Sequence, residues 1–164
     1  MKRIEPVARI AVAGVLLLLA ATAGAQSIQD FTKIVDFKAT LETLSKQAAE
    51  NHSVSTGGRL VVLNGVASSI QNLSNDPKQF YAMIELVDGK WHGLRSISLY
   101  RCYVLVQGPQ FANQVLLRPS NSPPADSVQT NSQLLVVGEV RGVVAAPDGS
   151  NVPVVVAYFI RPLS

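Results

Sequence analysis

The sequence predicts a mainly β protein: a five-stranded antiparallel barrel preceded by one amphipathic α-helix and an N-terminal signal peptide. Three observations lead there. Five runs rich in β-branched residues follow residue 58, the first carries a glycine in its middle, and a single long polar gap separates the third run from the fourth. Closing the ribbon removes exposed sheet edges, and a domain of this size buries enough surface to stand alone.

The first element is the leader. Lys2, Arg3 and Arg9 precede an apolar run from Ile10 to Ala23, and Ala23-Gly24-Ala25 supplies the small residues read by a signal peptidase. The run of 14 residues is short of the ~20 that cross a bilayer. Cleavage after Ala25 is therefore expected, with a periplasmic or secreted product whose membrane contact ends at cleavage. It leaves eleven basic and ten acidic side chains, a charge of about +1. The expected division is a signal peptide over 1–25, helix and linker over 26–57, and barrel over 58–164.

From Ile28 to Glu50, apolar residues recur at three-to-four spacing (Phe31, Ile34, Phe37, Leu41, Leu44, Ala48), which predicts one continuous helix. Gly57-Gly58 ends the linker after it. The first strand, Arg59 to Ile70, is expected to turn Leu60, Val62, Val66 and Ile70 to one face and to bend at Gly65. The second, Phe80 to Val87, points Phe80, Ala82, Ile84 and Leu86 inward and stops at the turn signal Asp88-Gly89. The third runs from Ser96 to Gln107 with Tyr100, Cys102, Val104 and Val106 on one face. Cys102 is the single cysteine, so no internal disulfide forms, and it reads as a small buried apolar residue. Ile97, Leu99, Tyr103 and Leu105 make the other face of this strand apolar too, with the helix as its expected lid. The proline-bearing stretch Arg118 to Asn131 reads as a disordered excursion, and Leu134 to Val144 and Val152 to Ile160 as a closing hairpin.

The order of these elements, with Leu60-Val-Val-Leu-Asn-Gly-Val66, Phe80-Tyr-Ala-Met-Ile-Glu-Leu86, Leu134-Leu-Val-Val-Gly-Glu-Val-Arg-Gly142 and Val152-Pro-Val-Val-Val-Ala157, resembles an OB-fold domain, in particular exported bacterial OB-like modules of unknown function. The last two strands also resemble a stretch of the starvation-inducible outer-membrane lipoproteins, without their acylated cysteine. The OB resemblance implies a binding face on the second and third strands and the loops beside them.

On that face the candidate ligand-binding residues are Tyr81, Trp91, Arg95, Arg101 and Tyr103: aromatic platforms beside cations, with Lys90 and Tyr100 as neighbours. No catalytic residue is assigned. Asp88, His92 and Ser96 or Ser98 suggest at most an alternative, a small periplasmic hydrolase or transferase centred on His92. No C-x-x-C, H-E-x-x-H, EF-hand or P-loop pattern occurs, so neither metal nor cofactor is expected. A charge near +1 and an exported compartment argue against nucleic acid. The expected role is a non-catalytic binding or interaction module of the periplasm or cell envelope, its partner an envelope protein or a glycan.

Overall fold

A computed structural model describes residues 28–74, 76, 79–124 and 126–163. The expected leader lies outside these residues. The chain divides into two compact units, Met1–Thr32 and Lys33–Ser164, and the second contains the barrel. The elements of the described residues are α1 (Ile28–Ile34), β1 (Val35–Asp36), α2 (Leu41–Asn51), β2 (Leu60–Ser74), β3 (Tyr81–His92), β4 (Ser96–Gln107), α3 (Pro109–Ala112), β5 (Gln133–Ala145) and β6 (Asn151–Pro162).

The strands pair in the order β1-β2-β3-β4-β6-β5, and β5 pairs back onto β2, which closes β2, β3, β4, β6 and β5 into the expected OB-like barrel. β2 makes closure possible. Its first half, Leu60 to Val66, pairs with β5, and its second half, Val66 to Ser74, pairs with β3. Gly65 sits at the change of partner, where a Cβ would stand 2.8 Å from the carbonyl oxygen of Val87, so the bend needs a residue without a side chain. The other seam is narrow, with β4 and β6 pairing in parallel only over Tyr103↔Val154, Val104↔Val155 and Leu105↔Val156.

The interior is filled from each of the five barrel strands by residues such as Val61, Leu63, Ile84, Leu86, Cys102, Val104, Val136, Val155 and Ile160, all at most 1% exposed. Cys102 is among them as expected, and burial pushes its thiol well above the ordinary range. The inward sets of the second and third strands also match the alternation in the sequence. The first strand does not. Val61, Leu63 and Ala67 point in while Val62 and Val66 are exposed, and a bulge between Ala67 and Ser69 then returns Ile70 toward the core. Both faces of Leu60-Val-Val-Leu are apolar, so alternation there leaves the phase undetermined.

Asp88-Gly89 is not a turn. β3 continues to His92, pairing Gly89↔Leu99 and Trp91↔Ile97, and the chain reverses at Gly93, whose φ of 66° a side chain would oppose. The single expected helix is two helices, because Val35 and Asp36 leave the helical path to pair with Leu60 and Val61. Arg59 then bridges Asp36 at 2.6 Å. α2 restarts at Thr40, whose hydroxyl accepts from the Thr43 amide while the Thr43 hydroxyl accepts from the Thr40 amide. Nor is α2 a lid over Leu99 and Tyr103. It buries Leu41, Leu44 and Ala48 and packs mainly on β4 and β6. The stretch 118–131 is no disordered excursion either: Val128 is fully buried and exchanges backbone hydrogen bonds of 2.7 Å with Gln114 and Leu116. Among the described residues, no helix is long and apolar enough to cross a membrane.

Candidate binding face and the Arg101 cleft

Antiparallel register places Tyr81, Met83, Glu85, Val87 and Trp91 on the outer face of β3, beside Gln107, Leu105, Tyr103, Arg101 and Ile97 of β4. Ten residues separate Tyr81 from Trp91, so these rows form a track roughly 30 Å long. Of the five candidate residues, Arg101 and Tyr103 stand together at its middle. Trp91 and Arg95 are at the hairpin tip and Tyr81 is at the opposite end. All five therefore share one hairpin, but no single pocket. The tip is open: Trp91 is 68% and Leu99 65% exposed. Tyr100 and Lys90 belong to the other face. Tyr100 is buried, and both donate to Glu42 of α2, at 3.2 and 3.0 Å.

α2 positions this hairpin from behind. Arg101 pairs with Val87 of β3 but lies outside the β4–β6 pairing, and on that side Ser45 satisfies its backbone, its hydroxyl accepting from Arg101 N at 3.0 Å and donating to Arg101 O at 2.9 Å. Glu42 also accepts from Lys46 at 2.8 Å. Lys46 and then Lys90 hold its carboxyl at about 2, well below 4.5.

The Arg101 side chain crosses a cleft of about 610 Å³ between the hairpin, α2 and the turn joining β5 to β6. Its Nη1 donates to Glu85 at 3.3 Å, and its Nη2 donates to Asp148 and Ser150 of the turn. Ser150 first, by hydroxyl and backbone N–H, and then Arg101 hold the Asp148 carboxyl at about 2. Val87 and Leu99 form the apolar wall of this cleft, with Ser68 and Asn151 at its rim. Alternation along a strand could find Glu85 opposite Tyr103. Asp148, Ser150 and Ser45 are brought to Arg101 by closure alone, and nothing local in the sequence marks them.

The imagined triad is not assembled. His92 Nε2 lies 2.9 Å from Ser98 Oγ on an exposed strand end, but Asp88 is four strand residues away, roughly 13 Å, and its carboxylate accepts from the Gly89 amide. Among the described residues no group of three or more His, Cys, Asp or Glu side chains gathers as a metal site would require.

No protein-family model matches the sequence, and no curated protein matches it. Among solved structures the chain is similar to the N-terminal domain of the PriB protein from Thermoanaerobacter tencongensis, with a TM-score of 0.39 and 11% identity over 64% of this chain and 96% of that one. It is also similar to the small single-stranded DNA-binding protein from Streptomyces coelicolor, with a TM-score of 0.37 and 13% identity over 65% and 93%. Against the expectation of an envelope module that meets a protein or glycan and no nucleic acid, one of the two solved proteins is by name a single-stranded DNA-binding protein. The charge argument was also too coarse, since a net charge of about +1 after the expected cleavage does not describe one face, and Arg95 and Arg101 both belong to the β3–β4 hairpin.

Proposed function

We propose that this chain is a non-catalytic OB-type domain that binds single-stranded nucleic acid along the outer face of β3 and β4. The observation that carries the reading is the shape of the face: an extended track with Trp91 and Leu99 exposed at the tip, Tyr103 at its middle and Arg95 and Arg101 beside them. A linear polymer fits such a track better than a compact metabolite does. Bases stack on aromatic and apolar side chains whatever their sequence, while the two guanidinium groups reach phosphates. With so few cations, binding is weak and needs low salt.

Trp91 is the only tryptophan, so its fluorescence reports on the tip alone. Titration of the protein with oligo-dT at low ionic strength is expected to quench that emission. In anisotropy with a fluorescein-labelled oligo-dT, two phosphate contacts give a log–log salt slope of about −1.4. Trp91→Ala is expected to lose about 1–3 kcal/mol, the worth of a stacked base. Absence of both quenching and anisotropy change at low salt would refute the reading.

A further inference from the structure

Carboxylate and phosphate are interchangeable partners for the planar fork of an arginine. Arg101 has two carboxylates, and they are held differently. Glu85 belongs to the barrel wall, has a side chain 22% exposed, and also accepts from Ser68 at 2.8 Å. Asp148 belongs to the turn between β5 and β6, and its side chain is 57% exposed. The turn is closed by its own bonds, Ala146 N to Ser150 O and Gly149 N to Ala146 O, each 2.8 Å, and Ser150 donates to Asp148 through both its amide and its hydroxyl. Asp148 therefore keeps its local partner when it leaves Arg101, and Arg101 stays oriented by Glu85. What is given up is one exposed ion pair and the hydrogen bond from Arg101 Nη2 to the Ser150 hydroxyl.

We infer that Asp148 is a built-in stand-in for phosphate: on Arg101 it occupies the place taken by a phosphate of the bound strand, and binding moves the β5–β6 turn off the cleft. The inference rests on the single-strand reading above. It makes Arg101 a phosphate subsite gated by a carboxylate, with Val87 and Leu99 as the apolar wall on which the adjoining nucleoside lies.

The test is Asp148→Asn, which removes the charge and keeps an oxygen to accept from the Ser150 amide, measured in the full chain with fluorescein-labelled oligo-dT. Binding at low salt is expected to tighten about fivefold, the worth of an exposed ion pair released from competition. The salt slope should stay near −1.4, since Arg101 meets its phosphate in the bound state with or without Asp148. The gain should vanish when Arg101→Gln is added. Asp148→Ala serves as a second variant and should behave as Asp148→Asn does. If the unaltered protein binds and neither variant binds more tightly, the gating inference is overturned and the single-strand reading stands. If no form binds, the reading falls and takes the inference with it.

Discussion

Two side chains with little visible promise in the sequence, Glu42 and Ser45, do much of the positioning. Glu42 reads as an ordinary solvated helix residue, yet it gathers Lys46, Lys90 and the Tyr100 hydroxyl and so ties α2 to the back of the hairpin. Lys90 is 48 positions away, which no helical or strand period can express. The consequence for stability has a definite sign. The folded carboxyl titrates at about 2 against 4.5 when unperturbed, so its stabilising contribution is complete above pH 4.5 and is lost as the pH falls toward 2. Thermal melts followed by circular dichroism should therefore show a melting temperature that declines over that window. Glu42→Gln should flatten this part of the profile and leave the slope above pH 5 unchanged. Other single residues were legible from chemistry that acts locally: Gly65 as a bend and Cys102 as a buried apolar group, because neither inference needs a distant partner.

At the scale of elements, β4 was legible to the residue, since alternation, the Gly108-Pro109 stop and a buried face all agree. β3 was legible in its first half only. Its extension past Asp88-Gly89 depends on pairing with Ser96 to Leu99, and that ladder overrides the local turn preference. α2 shows the same contest, as two residues of parallel pairing interrupt a helical pattern that is continuous in sequence. Beside the buried Leu41, Leu44 and Ala48, α2 is tied to the barrel by Ser45 on the Arg101 backbone. Ser45→Ala is expected to cost about 1–2 kcal/mol in urea unfolding with an unchanged m value, because a donor and an acceptor lose their partner together. Intrinsic helix propensity alone would give the opposite sign, alanine being the better helix former.

At the scale of the whole molecule, one strand shared between two neighbours turns a ribbon into a barrel, and the barrel turns a hairpin into a supported face. Composition and the glycine in β2 pointed to closure. They could not say which face would be left open, because β4 is apolar on both sides and the side that α2 covers is decided by the seam between β4 and β6. For the same reason Arg101 was recognised as a candidate while Asp148, 47 residues later, was not. The central claim, that this open face is where a single strand lies, is tested most directly by amide chemical-shift mapping during titration with oligo-dT. The expected result is a continuous set of shifts along Val87 to Tyr103 together with Asp148 to Ser150, and none on the outer side of the β2–β5 pairing. Shifts confined to the β2–β5 side, or none at saturating oligonucleotide, would contradict it.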